Sequence, residues 1–395
     1  MEGILLVIGF VVAIFVGYNI GGATTGPAFG PAVGAGVISK TVAAALMSIF
    51  FFVGAWTIGT RVVETLGSDI VGGADVFTLQ TAAIVLLFIG IALFIGNYFG
   101  VPASTSMTAV GAIAALGAAS GELNWEVMGE ILIWWIVAPI IGFWVSGVIG
   151  RYFYSHINQW IALQQSDGPL VEIDRSGKIP QINRGPGTTD KELYGAGIVV
   201  LIGCLMAFSS GTSNIANAIA PLYGAGAGGV SMATLVIIGS LAVTIGAFTI
   251  ARRTMETLGN DITDLPLTAA IVVATVASIL TTGLSAIGIP ASFVIIATMS
   301  IIGLGWGRAT RSAESLQETV KSDTDAGVSV GALAADEPGE EMPEIGEEDP
   351  EELPGRADLF DPGTTARVIV MQNIVPVIST VGAYLTFVFV PVGGI

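Results

Sequence analysis

The chain has one cysteine and one histidine in 395 residues, and only 11% of its residues are charged. A lone Cys204 excludes an intramolecular disulfide and a thiol-built metal centre. It sits in an apolar run and reads as a small packing residue. His156, in "YFYSHINQW" at the edge of another run, reads as an interfacial residue rather than a catalytic base. Only four lysines, Lys40, Lys178, Lys191 and Lys321, stand in a chain with 31 acids and a formal charge of −17, which excludes a nucleic-acid partner. No Asp, Glu or His lies well inside a long apolar run, so an intramembrane enzyme would lack an acid, a base or a metal ligand.

What the chain has in quantity is apolar surface and glycine: 53% hydrophobic residues and 53 glycines. Ten apolar runs fall near 3–20, 37–59, 79–99, 101–118, 129–150, 193–210, 229–251, 267–287, 289–306 and 367–393. Most match the thickness of a bilayer rather than the short strands of a soluble core. The first, "GILLVIGFVVAIFVGYNI", has no basic region before it and no small-residue cleavage site, so it reads as a span and not a signal peptide. The expectation is an all-α polytopic membrane protein in contact with lipid.

Two hydrophilic segments interrupt the runs, at 153–192 and 307–366, giving membrane segments 1–152, 193–306 and 367–395. From Glu314 to Asp361 sixteen acids face only Lys321 and Arg356, with prolines and glycines throughout, the composition of a disordered acidic linker. Many acids with few lysines is also the balance expected in a high-salt habitat, although an acidic tether has the same composition. With ten spans, thirteen of the fourteen basic residues fall on one side and only Arg61 on the other. That bias places both hydrophilic segments in the cytoplasm and both termini outside.

The chain is internally duplicated. "VGAWTIGTRVVETLGSDI" (53–70) and "IGAFTIARRTMETLGNDI" (245–262) agree at eleven of eighteen positions, among them Arg61/Arg253, Glu64/Glu256 and Asp69/Asp261. "TAAIV" recurs at 81–85 and 268–272, and "GVPAS" (100–104) pairs with "GIPAS" (288–292). Five spans per copy is an odd number, so the second copy enters the bilayer in the opposite sense. Inverted repeats of this kind build secondary transporters, with a midplane site on short, broken or re-entrant helices.

Two polar segments lie at membrane depth. "PASTSMTA" (102–109) places Ser104, Thr105 and Ser106 after Pro102, at the start of a short helix whose free N–H groups and hydroxyls form an uncharged anion cradle. "GTSNIANAIAPL" (211–222) offers Thr212, Ser213 and Asn214 as the start of a second half-helix. Caps and interhelical polar contacts explain each segment alone; the duplication favours ligands.

At these residues the sequence resembles the inorganic phosphate transporter family. Its repeated G-A-N-D-V-A-N-A motif is similar to the segment at Gly211, Ala216, Asn217 and Ala218, and "AFGPAVGAG" (28–36) to the tail of the first copy. Its P-V-S-T-T-H motif is similar to "PASTSM", and its T-E-T-I segment to Glu64-Thr65 and Glu256-Thr257. Both motif aspartates are absent: Ala23-Thr24 and Ser213-Asn214 stand in the N-D places, and Ser292-Phe293-Val294 replaces the second S-T-T. The resemblance implies cation-coupled uptake of inorganic phosphate by alternating access, with Na+ or H+ as transported co-ion and no other cofactor. The expected substrate ligands are Ser104, Thr105, Ser106, Thr212, Ser213, Asn214 and Ser292. The expected coupling-ion residues are Thr24, Glu64, Asn214, Asn217 and Glu256. A sulfate or other oxyanion permease of the same family, and a passive anion channel, are the alternatives; a homodimer is left open.

Overall fold

The computed structural model describes residues 2–34, 36–73, 76–98, 104–161, 171–174, 181–184, 189–261, 267–322 and 362–392. The described chain is a bundle of helices: α1 (Glu2–Gly34), α2 (Lys40–Gly54), α3 (Thr60–Glu64), α4 (Leu79–Tyr98), α5 (Thr105–Ser120), α6 (Trp125–Val148), α7 (Tyr154–Ile161), α8 (Asp190–Gly224), α9 (Met232–Asp261), α10 (Leu267–Ala286), α11 (Phe293–Ser322) and α12 (Pro362–Phe389). A single π turn at Ala55–Gly59 joins α2 to α3 and a second at Thr65–Asp69 extends α3, giving one rod, whereas its repeat mate α9 is regular throughout. One short ribbon, β1 (Val171–Asp174) paired antiparallel with β2 (Gln181–Arg184), lies in the hydrophilic segment and is the described exception to an all-helical chain.

Helices occupy all ten places where spans were expected. Seven are long and apolar enough to cross a membrane, and the described apolar stretches at 105–120, 293–308 and 373–389 are shorter. Sixteen residues rise about 24 Å, less than the ~30 Å hydrocarbon layer, so α5 and the apolar part of α11 are half-helices. Burial runs opposite to that of a soluble protein. Ile4, Val7 and Val11 on α1 and Ile133, Ile136 and Ile140 on α6 are exposed, while Asn19, Ser106, Ser213 and Asn217 are buried. Exposed aliphatic faces suit lipid, and polar groups withdraw into the bundle.

The two copies pack as mates. α1 lies on α9 and α4, and α8 lies correspondingly on α2 and α10. Then the copies exchange partners: α6 packs on α11, and α12 packs on α5, so the last helix of each copy supports the half-helix of the other. Glycine makes the closest crossings. A Cβ at Gly54 would enter the Phe208 carbonyl, and one at Gly211 the Phe51 carbonyl. The repeat-related pair does the same: Gly246 lies against the Tyr18 carbonyl and Gly21 against the Val243 carbonyl.

That packing overturns one expectation. Thr212, Ser213 and Asn214 do not begin a half-helix; they lie within the uninterrupted α8, and the related segment around Thr24 lies within the uninterrupted α1. Gly211 is there for the helix crossing, and with small residues around it the helix runs on. The breaks are instead before α5 and α11. Ser104 caps α5, its Oγ accepting from Met107 N at 3.3 Å, and Ser292 caps α11 by accepting from Ile295 N at 3.4 Å.

Candidate functional site

The first turn of α5 abuts the middle of α8 and the end of the 287–292 connection, and the three build one buried polar node. Thr105 Oγ1 donates to Asn214 Oδ1 at 2.6 Å. Ser106 Oγ and Ser213 Oγ are 3.2 Å apart, and each lies 2.9 Å from the carbonyl oxygen of Ala291. Asn214 Nδ2 donates to Ser210 Oγ at 3.0 Å, and Asn217 Nδ2 donates to Asn214 Oδ1 at 3.2 Å. Asn217 Oδ1 is buried with no hydrogen-bond partner. Serine and asparagine one turn apart on α8 (Ser210, Asn214; Ser213, Asn217) present one face to α5, as 3.6-residue periodicity requires.

The connection that supplies Ala291 is held at several points. Arg61 Nη1 donates to the Ala286 carbonyl, Trp135 Nε1 donates to the Pro290 carbonyl at 2.7 Å, and Ser106 and Ser213 hold Ala291. Gly288 turns the chain in the left-handed region at φ 83°, where a side chain would be strained. Beside Ser292 is an apolar cavity lined by Trp134, Trp135, Ala138, Leu284, Ile295 and Ile296.

Seven of the expected residues converge on this node or its caps: Ser104, Thr105, Ser106, Ser213, Asn214, Asn217 and Ser292. Thr212 does not, because its hydroxyl bonds the Ser209 carbonyl of its own helix at 2.8 Å. Thr24 bonds the Ile20 carbonyl at 2.8 Å and stays on α1. Glu64 is exposed on α3, outside the node. The side chain of Glu256, and residues 99–103 before α5, lie outside the described residues. Sequence reasoning missed Ser210, Trp135 and the Ala291 carbonyl. Ser210 was findable, one turn before Asn214; a backbone carbonyl leaves no mark in sequence.

Electrostatically the interior is neutral. Among the described residues every buried polar side chain is Ser, Thr or Asn, and no group of three or more His, Cys, Asp or Glu is placed to hold a metal. The node can therefore offer hydroxyl and amide donors to an anion, and carbonyl-type oxygens to a cation.

Two inverted sets of helices, each with a capped half-helix supported by the other set, and one buried polar node where they meet, define a polytopic membrane protein of transporter architecture. The chain belongs to the phosphate transporter family, whose model matches residues 20–330. It is 30% identical over 298 residues to the sulfate permease CysP of Bacillus subtilis, covering 75% of this chain and 76% of that one. It is 26% identical over 390 aligned residues to a Chlamydia pneumoniae protein provisionally named a phosphate permease, covering 78% of this chain and 91% of that one. Its fold is similar to a solved structure titled "The sodium-dependent phosphate transporter", with TM-score 0.62, 18% identity, and coverage of 98% of this chain and 100% of that one.

Proposed function

We propose that the chain is a secondary active transporter that moves inorganic phosphate across the cytoplasmic membrane with a co-moving cation, Na+ or H+, by alternating access of its two repeats. The observation that carries this is the composition of the node. Thr105 and Ser106 come from the first copy and Ser213, Asn214 and Ala291 from the second, so any rocking of one copy against the other must open or close that point. Hydroxyls of Thr105, Ser106 and Ser213 and the amide of Asn214 turn to the anion, with the caps Ser104 and Ser292 at the half-helix N-termini. Asn217 Oδ1 is the oxygen free to meet a cation, and the duplicated acids Glu64 and Glu256 are the carboxylates that attract it.

Coupling follows from electrostatics. A dianion entering against an inside-negative potential climbs about 4.6 kcal/mol per 100 mV, and no buried basic group among the described residues offsets its charge. Co-moving cations must do so. The orientation proposed from the basic residues puts 153–192 and 307–366 in the cytoplasm and the termini outside.

Proteoliposome uptake under Na+, H+ and no gradient tests this. Accumulation above equilibrium that collapses with the cation gradient is the expected result; equilibration alone identifies a passive channel. A second proposal, sulfate as cargo, is favoured by the Bacillus relative, and phosphate–sulfate competition in the same vesicles decides it.

A further inference from the structure

Resting on the proposal that the node seats the transported oxyanion, we infer that the seam between α8 and α10 is that anion's passage between the node and the side of the 153–192 segment, a hydrated lane lined by Ser209, Ser278, Thr281 and Ser285. These four side chains are fully buried, and their hydroxyls have no hydrogen-bond partner among the described residues. Thr282, half-buried beside them, is unpartnered as well. A helical hydroxyl can bond back to the carbonyl one turn earlier, as Thr275 of the same helix does to Ile271 at 2.8 Å. The four do not. An unmatched hydroxyl in a dry interior is costly, and buried water is the usual partner of such groups.

Helix periodicity brings them together. Ile271 packs with Val199 and Ile202 of α8, which marks the face that α10 turns to its chief neighbour. Ser278 and Ser285 follow Ile271 by seven and fourteen residues, and Thr281 lies between them on that face. On α8, Ser213 follows Val199 by fourteen residues and Ser209 follows Ile202 by seven, so both look into the same seam. Ser278 and Ser285 are about 10 Å apart along the helix axis. One end of the lane is the node, where Ser213 meets the Ala291 carbonyl just beyond the end of α10. The other end is shut: Val199, Ile202 and Ile271 close on Ala32, Ile38 and Ile157 in one apolar cluster. There the start of α10 is tied to α7, within the 153–192 segment, by the 2.7 Å bond from Thr268 Oγ1 to Asn158 Oδ1.

Duplication does not require this face. The repeated segment at 81–85 and 268–272 sets Ser278, Thr281 and Ser285 against Ile91, Phe94 and Tyr98 of α4, which are exposed. One copy turns large side chains outward where the other buries hydroxyls. The remaining unpartnered hydroxyls, Ser146, Ser240, Ser300 and Ser379, occur one to a helix. α10 carries no charged residue, and the acids of α8, Asp190 and Glu192, stand in its first turn, so a dianion in the lane meets donors and no carboxylate.

Thiol accessibility tests the lane. In the full chain carrying Cys204→Ser, the variants Ser278→Cys, Thr281→Cys and Ser285→Cys each meet a small water-soluble thiosulfonate in open membrane fragments, where both faces are reachable. Val276→Cys, buried beside Leu304 on the opposite face of α10, and Ile279→Cys, on its exposed side, are the controls. A thiol in a dry apolar site stays protonated and unreactive, because the thiolate is the nucleophile. The expected result is reaction about tenfold or more faster at the three lane positions than at either control, slowed by phosphate or sulfate with Na+ present and not by Na+ alone. Reaction no faster than the controls at all three positions overturns the inference, as does fast reaction that neither anion slows. Slowing by Na+ alone gives the lane to the cation and overturns it too. Calorimetry of phosphate and sulfate on the Cys204→Ser chain runs alongside. A chain that binds phosphate while the lane stays unreactive loses this inference and keeps the proposed function; binding of neither anion overturns both.

Discussion

Removing one hydroxyl from the node separates a ligand from a packing contact. Thr105→Val keeps the shape of the side chain and deletes only the Oγ1 donor. In the ligand-free structure this removes the 2.6 Å bond to Asn214 Oδ1, which still receives Asn217 Nδ2 at 3.2 Å and is therefore not orphaned. The folding cost is that of one neutral hydrogen bond, about 0.5–1.5 kcal/mol. If the same hydroxyl turns to the anion in the bound state, binding loses a hydrogen bond to a charged group, about 1.5–3 kcal/mol. That corresponds to roughly a 10- to 150-fold weaker Kd. Thr212→Val is the control, because its hydroxyl bonds the Ser209 carbonyl of its own helix and should leave binding within about twofold. Calorimetry on purified protein with phosphate and sulfate, with thermal unfolding measured in parallel, reads both quantities. Thr105→Val that binds both anions as the wild type does, in a folded protein, would refute the assignment of the node as the seat.

Gly211→Ala and its repeat mate Gly21→Ala should each lower stability by about 1–3 kcal/mol, since their Cβ atoms would enter the carbonyls of Phe51 and Val243, whereas Gly197→Ala meets nothing within 4 Å and should not destabilise; melting in detergent checks all three. With Cys204→Ser as background, Ser176→Cys should resist an impermeant thiol reagent added to intact cells, and labelling from outside would reverse the proposed orientation. Deleting residues 325–352 should leave the KM for transport nearly unchanged; a large rise in a stable deletion would make that acidic segment part of substrate capture.

The sequence alone determined the membrane class, the ten helical places and the inverted duplication. Those features rest on composition, run length and counted identities, which are local properties that packing does not alter. It also singled out Ser104, Thr105 and Ser106 as a helix start, because proline followed by hydroxyl residues dictates a cap whatever surrounds it. It misread Gly211. A glycine before hydroxyl and amide residues has the same local signature whether it ends a helix or lets another helix approach, and only Phe51 across the crossing distinguishes the two. The exchange by which α6 supports α11 and α12 supports α5 was likewise beyond one-dimensional reading, since contacts between distant elements leave no period in the chain. Tertiary structure also decided which duplicated positions remain partners. Ser213, Asn214 and Asn217 meet α5 and the Ala291 carbonyl, while Thr24 folds back on its own backbone, so the second copy of the motif enters the node and Thr24 of the first does not.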